Sequence, residues 1–517
     1  MKRLFYITLT FGLIFAGCQK EFLDKTSLSD ISDDNFWNNI QDAELALMGC
    51  FDGLQDLSMY KGNGYTSGAG IAQFDAISDD AYCSSSWMRL VPLSLGTYDP
   101  TSWGNDQIWD ACYTVISRAN IVIKEVPNIE SMSIEESRQI VAEAKVLRAS
   151  MYNFLAMTYA DVPLVTEPLE AQEAQVPKSQ KDDIFSFIIE DLETCYADLP
   201  LTPGKWGRIS QGAALGMLAR TYLYSEDWPS AASTAQKVMD LSYSLHPDYS
   251  TLFTPEEEQN SEVIFPVCFE YGQDGEGSAW MKYYSSRMYI RYKTALPSLV
   301  NEFYCTDGLP VDLSPLYDTA AIWSNRDPRL MATVTSYQWP NWPPTSKTEP
   351  EGVYFAKKYI AAPDIKEQAG DSPQDYYLIR YAHILLIKAE ALAQQGADPE
   401  IYALINQLRD RVSMPHVEDI EGTGLSQQEL LDIVKHERRV ETAFEFLRYF
   451  DIKRWGEIQE KYDWYNANEY ANYPGGREGD QYYKGMKERV WMSKYEKMPI
   501  PQTELDVNKA LVQHEGY

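Results

Sequence analysis

Apolar residues recur at helical spacing over most of this chain. In the stretch after Ser133, the positions Ile140, Ala144, Leu147, Met151, Phe154 and Leu155 fall on one helix face. Ser133-Ile134-Glu135-Glu136 is a capping box that opens this helix, and Asp161-Val162-Pro163 stops it near Tyr159, because the residue before proline avoids the α region. Asn105 to Val126 is predicted as its partner. The pattern repeats over Asp182–Tyr196, Ser210–Tyr224 and Pro229–Leu241, and again over Tyr376–Gln395 and Pro399–Val412. Ala213, Ala214, Gly216 and Ala219 supply small contacts for close packing, and Ser426 to Glu429 caps a further helix. No single pair buries its apolar face alone, so the pairs must stack. The expected fold is mostly α, a tetratricopeptide-like scaffold of helical pairs.

Between about Ser242 and Gln374 the pattern breaks. Gly, Pro, Tyr and Trp dominate, with short β-like runs at Val263-Ile264-Phe265 and Val353-Tyr354-Phe355. A similar loop-rich stretch runs from Gly62 to Thr101. Loops carried on a helical scaffold are where binding residues concentrate. The expected organisation is a leader over 1–17, an N-terminal helical region over 18–241, a loop-rich binding region over 242–374 and a C-terminal helical region over 375–517.

The N-terminus changes the picture. Lys2 and Arg3 precede an apolar stretch from Leu4 to Ala16, and Ala16-Gly17-Cys18 follows. This reads as a secretory signal, too short for a membrane span. It resembles a bacterial lipobox, with Phe15 where Leu is usual, and implies cleavage before Cys18 and lipidation there. Such a protein is held at a membrane by its acyl chains.

A formal net charge of −31 removes nucleic acid from the expected partners, since the basic footprint is missing. The six cysteines after Cys18 are scattered, never as CxxC, and the five histidines show no metal spacing. Burial as small apolar groups is the expectation for most of these thiols. No cofactor is expected. Phosphate-loop, dinucleotide and Gly-x-Ser-x-Gly patterns are absent, and Pro474-Gly475-Gly476 reads as a turn.

Several blocks together resemble the SusD/RagB lipoproteins of the Bacteroidetes. Gln19 to Asp24, with Phe22-Leu23-Asp24, is similar to their mature start. Ala142 to Ala149 with Tyr152 and Phe154, then Tyr159-Ala160-Asp161-Val162-Pro163-Leu164, resembles their most recognisable block, with Ala160 where glycine is common. Gly207 to Ser210 and Leu218 to Tyr224 resemble the next. Arg380-Tyr381-Ala382 with Ala389-Glu390-Ala391 resembles a later helix, with His383 where glutamate is frequent. Glu437-Arg438-Arg439 through Glu445, Arg448 and Asp451-Ile452-Lys453-Arg454-Trp455 resembles the C-terminal signature, and Pro499-Ile500-Pro501 to Tyr517 the closing segment. The resemblance implies an outer-membrane lipoprotein on the cell exterior. It would capture glycans, or peptides in the RagB branch, and deliver them to a SusC-type TonB-dependent transporter without chemistry or cofactor.

The family's ligand contacts vary, so the candidates rest on local chemistry. A sugar site needs a flat ring and polar groups that grip vicinal hydroxyls. Asp79, Asp80, Tyr82, Trp87 and Arg89 form one such cluster. Trp280, Tyr283, Tyr284, Arg287 and Tyr289 form a second. Trp323, Asn325 and Arg326 form a third, with Trp339 and Trp342 nearby. For each aromatic alone, packing is the plainer role. Asp75, Asp79 and Asp80 also invite a calcium reading, which no EF-hand spacing supports.

Glu437 and Glu441 are i,i+4 neighbours and invite a glycoside-hydrolase reading. Arginine-rich surroundings lower carboxylate pKa values, which is wrong for a general acid, so charge-paired helix packing is expected instead. Glu143 with Lys145 and Arg148, and Arg380 with Glu390, read the same way. A purely structural surface protein is the remaining rival.

Overall fold

The computed structural model describes residues 36–62, 70–83, 89–170, 173–272, 276–279, 294–335, 354–359, 371–471 and 486–517. Long helices dominate: α1 Ile40–Leu54, α2 Asn105–Glu125, α3 Ile134–Tyr159, α4 Lys181–Cys195, α5 Gln211–Tyr224, α6 Trp228–Met239, α7 Tyr381–Gln395, α8 Glu400–Arg411 and α9 Gln427–Thr442. Each of α1 to α6 packs on the next in chain order. The stack then continues from α6 directly onto α7, which packs in turn on α8 and α9. The chain between residues 240 and 380 therefore leaves a helix array and returns to it. One continuous apolar core runs from Ala43 in α1 to Leu511.

The predicted starts appear in the geometry. The Ser133 hydroxyl accepts from Glu136 N at 3.2 Å, and the Glu136 carboxylate accepts from Ser133 N at 2.9 Å. Ser426 and Glu429 make the same box at the start of α9. Helix α3 ends at Ala160, whose φ of +63° is costly for a residue with a Cβ.

Tyr376–Arg380, expected as the first turn of a helix, is instead a strand. Aromatic and branched residues there are buried along their length and pair antiparallel with Val263–Val267, closing the base of the 240–380 excursion. The helix begins only at Tyr381. The other strands are two residues each. In chain order the strands are β1 Ala81–Tyr82, β2 Val162–Pro163, β3 Lys178–Ser179, β4 Val263–Val267, β5 Thr294–Ala295, β6 Val334–Thr335, β7 Phe355–Ala356 and β8 Tyr376–Arg380. The run Val353-Tyr354-Phe355 contributes β7 and a bridge at Tyr354, while Val353 lies outside the described residues.

Buried ion pairs tie the excursion to the array. Arg380 sits on the α7 N-terminus and donates to Glu445 (2.8 and 2.6 Å), Glu262 (2.6 Å) and Glu441 (2.7 Å). Glu441 also receives Arg411, and Glu437 receives Arg329 and Arg409. Burial alone would raise Glu441. The guanidinium groups of Arg411, Arg380 and Arg329 outweigh it and hold the carboxylate far below its usual range. Charge-paired packing therefore describes this segment, with partners drawn from distant chain positions. Glu143 pairs with Arg208, Arg148 with Asp191, and Glu390 with Arg454. The expected groupings of Glu143 with Lys145 and Arg148, and of Arg380 with Glu390, are corrected on that point. Cys50, Cys83, Cys112, Cys195 and Cys305 are buried free thiols and Cys268 is half-buried. Among the described residues no helix is long and apolar enough to cross a membrane.

Candidate functional site

The loop clusters expected from the sequence share a common base. Strand β1 pairs antiparallel with β5, Ala81 opposite Ala295 and Tyr82 opposite Thr294. Ala295 N donates to Tyr354 O at 2.9 Å, and β7 pairs with β6. Four short strands from distant parts of the chain thus meet edge to edge in the order β1, β5, β7, β6. Beneath them Tyr82, Leu296, Phe355, Tyr465 and Met486 form a small apolar cluster separate from the main core. These strands are the described ends of segments 84–88, 280–293 and 336–353. Trp87, Trp280, Tyr283, Tyr284, Arg287, Tyr289, Trp339 and Trp342 belong to those segments and lie outside the described residues. So do Cys18 and the turn at 474–476.

A second base lies at the other end of segment 280–293. Ser278 and Ser372 exchange two backbone hydrogen bonds of 2.8 Å, and Ala279 N donates to Lys61 O at 2.9 Å.

The described members of the first cluster divide into two kinds. Asp79 and Asp80 are buried among arginines from the C-terminal region. Arg448 grips Asp79 through two contacts of 2.8 Å, and Arg439 Nε donates to Asp80 Oδ1 at 2.8 Å. Burial would raise Asp79, but Arg439 and Arg448 together hold it far below the carboxylate range. Asp80 is pushed up by burial, and the Asp79 charge opposes the relief that Arg439 gives. Arg489 donates to the carbonyls of Ser78, Ala76 and Ala81. Three arginines therefore fix segment 76–81 from behind, and the two aspartates serve that anchoring rather than facing solvent. Asp79 and Asp80, two of the acids that invited a calcium reading, are thus engaged by arginines. Among the described residues no group of three or more His, Cys, Asp or Glu is placed to hold a metal. Tyr82 is buried in the apolar cluster under the strands.

Arg89 is different. Its side chain is 3% exposed and its guanidinium lies 3.7 Å over the ring of Trp103, which is 50% exposed. Nη1 donates to Gln107, while Nε and Nη2 have no hydrogen-bond partner. Burial lowers its pKa to about 10, against the pull of Asp106. The local sequence builds this arrangement. Gly104 caps α2 at φ +92°, and a Cβ there would sit 2.4 Å from Arg89 Cδ. Only glycine lets the arginine lie across the helix start with Trp103 against it. Both nitrogens are enclosed, and leaving a charged donor buried without a partner costs about 1–3 kcal/mol. The exposed Trp103 indole offers a flat apolar surface of the kind a pyranose ring stacks on.

The third cluster is anchored from within. Arg326 is buried and donates to the carbonyls of Phe303, Ile322 and Val300, pinning its own loop. Asn325 is exposed at φ +56° and bonds Leu316 O at 3.2 Å. Trp323 is half-buried and meets the ring of Tyr354 edge-on at 5.8 Å, which places it beside β7. Trp103 and Gln107 were missed by the sequence reading. Their only signal is the Trp-Gly-Asn triplet at the helix start.

These features define a helical-repeat binding scaffold that carries a composite loop face. The profile of the SusD family matches residues 261–517. A second, described as starch-binding associating with outer membrane, matches residues 21–223. The SusD-like protein P38 of Formosa agariphila is 26% identical over 508 residues, covering 89% of this chain and 93% of its own length. A SusD-like carbohydrate binding protein of Bacteroides fragilis superposes with a TM-score of 0.79 at 26% identity, covering 92% of this chain and 100% of that one. A laminarin binding SusD-like protein superposes with a TM-score of 0.73 at 25% identity, covering 93% and 100%. The chain belongs to the SusD/RagB family.

Proposed function

We propose that the protein captures oligosaccharide or polysaccharide chains at the cell exterior and passes them to a SusC-type TonB-dependent transporter. The observation that carries this reading is the Arg89–Trp103 pair: a half-exposed indole fixed against a buried guanidinium. The carbohydrate-binding relative of Bacteroides fragilis and the laminarin-binding relative support the ligand class. In this reading Trp87, Trp280, Tyr283, Tyr284 and Arg287 add contacts from the segments that meet at β1, β5, β7 and β6, and Trp323 adds one from beside β7. Lipidated Cys18 tethers the protein to the outer membrane. The protein binds and releases its cargo unchanged.

The test is calorimetric titration of the soluble chain beginning at Gln19 against polysaccharides, oligosaccharides and peptides, with product analysis on the same samples. Saturable glycan binding without products is expected. Binding of peptides alone moves the protein to a peptide cargo, and new reducing ends overturn the non-catalytic reading. The anchor is tested in cells by Cys18→Ala, which should abolish labelled-palmitate incorporation and release the protein from the membrane fraction.

A further inference from the structure

A groove on the helical array has the chemistry of a second ligand site. It opens between the α4–α5 connection and the segment that follows α6, as two adjoining cavities of about 540 and 350 Å³ that share Trp206, Gly207, Arg208 and Pro266. Sites for small ligands span about 300–1,000 Å³. None of its lining residues belongs to the Arg89–Trp103 pair or to the strands β1, β5, β6 and β7.

Two aromatic rings are fixed in its wall. Trp206 Nε1 donates to Asp375 Oδ2 at 2.8 Å, and the other oxygen of that buried carboxyl accepts from Phe269 N at 2.8 Å. The indole is thereby held by its edge while the ring borders both cavities. Tyr243 shares a 2.9 Å hydrogen bond with Ser210 and lies against Gly212, where a Cβ would approach the phenol ring to 2.4 Å. The backbone around Trp206 is equally constrained. Gly207 has φ +84°, and a Cβ there would come within 2.6 Å of Cys268 Sγ.

The polar groups of the larger cavity identify the ligand class. Lys205 and Gln259 line the cavity, and their exposed side chains make no hydrogen bond with other described residues, so they bring an ammonium and an amide to its wall. Ser261 adds a hydroxyl at the rim, bonded to Ser244. Arg208 contributes no net attraction for anions, because Glu44 and Glu143 already neutralise it. One unpaired cation is too little for a polyanion. Rigid rings flanked by amide and hydroxyl groups suit a neutral saccharide, whose C–H faces stack while its hydroxyls exchange hydrogen bonds.

We propose that the Trp206 groove is a second saccharide site, binding a neutral oligosaccharide stretch on the helical array independently of the loop face. A chain held at two places would gain avidity over either site alone.

The test is indole N–H NMR of the ¹⁵N-labelled soluble chain, titrated with laminarihexaose and with maltohexaose. Trp206→Phe and Trp103→Ala assign the two signals. The expected result is a saturable shift of the Trp206 signal by at least one probe, in wild type and in Trp103→Ala alike. Lys205→Ala with Gln259→Ala should raise the half-saturating concentration at Trp206 at least fivefold and leave the Trp103 response unchanged. A Trp103 shift with a still Trp206 signal overturns the groove and leaves the loop-face reading standing. A Trp206 shift that vanishes in Trp103→Ala also overturns it, because the groove would then be reporting on the other site. No shift at either indole overturns both. A Trp206 shift alone supports the groove and counts against the loop face.

Discussion

Arg380 and Arg89 are both buried arginines, and they do opposite things. All the guanidinium nitrogens of Arg380 are engaged, by Glu262, Glu441, Glu445 and the Glu441 carbonyl, and these neighbours raise its pKa against the effect of burial. Arg89 bonds only Gln107, its pKa falls to about 10, and its flat face rests on a ring open to solvent. A buried charge whose donors are all matched from within is holding the fold. Arg89 instead backs an exposed aromatic ring, the feature on which the proposed glycan contact rests. The two regions therefore divide the molecule into a scaffold and a face.

The largest expected effect lies in the scaffold. Arg380→Ala removes the cation that Glu262, Glu441 and Glu445 share in the interior and should destabilise the protein by about 3–5 kcal/mol, read as a lower urea midpoint or loss of soluble chain. A midpoint like wild type would break the distinction. Acid should attack the same region. Burial alone would raise Glu441 and Glu445, yet their cationic neighbours hold them low, and burial presses His383 down to about 3. For all three the unfolded chain binds more protons, so their contribution is lost as pH falls, from about 6.5 for the histidine and about 4.3 for the glutamates. Glu258 and Asp375, which burial raises to about 8 and about 6, act with the opposite sign between about pH 4 and 8. Below about pH 4 nothing in that pair opposes the loss. The melting temperature should drop steeply there, and one unchanged between pH 7 and 3 would contradict the network's role.

The face predicts a smaller and different effect. Arg89→Ala removes unsatisfied donors, so the unfolding midpoint should move little while glycan affinity falls about tenfold, or 1.4 kcal/mol, by calorimetry. The smallest effect sharpens the boundary between the regions. Ala160 sits at φ +63° after α3, so Ala160→Gly should raise stability by about 0.5–1 kcal/mol in urea denaturation and leave affinity unchanged.

The helix array was legible because its signals are local. The capping boxes at Ser133 and Ser426 and the stop at Pro163 each lie within a few residues of what they control. Tyr376–Arg380 misled because the apolar pattern of α7 runs straight into it, while its strand partner Val263–Val267 lies more than a hundred residues away. The ion network was legible in kind and illegible in pairing: Glu437 meets Arg329 at a separation of 108 residues. The same distance hid the part played by Asp79 and Asp80. They look like loop acids until Arg439 and Arg448, some 360 residues later, close on them. Arg89 was legible as a candidate. Trp103 was not, because only the left-handed turn at Gly104 brings its ring under the guanidinium.

The central claim is that recognition and stability reside in separate parts of the molecule, and Trp103→Ala tests it most directly. Glycan affinity and the urea midpoint should be measured on one preparation of this variant and of wild type. The account predicts an affinity at least tenfold weaker with the midpoint unmoved. Unchanged affinity, above all with a lowered midpoint, would return Trp103 to the scaffold and contradict the account.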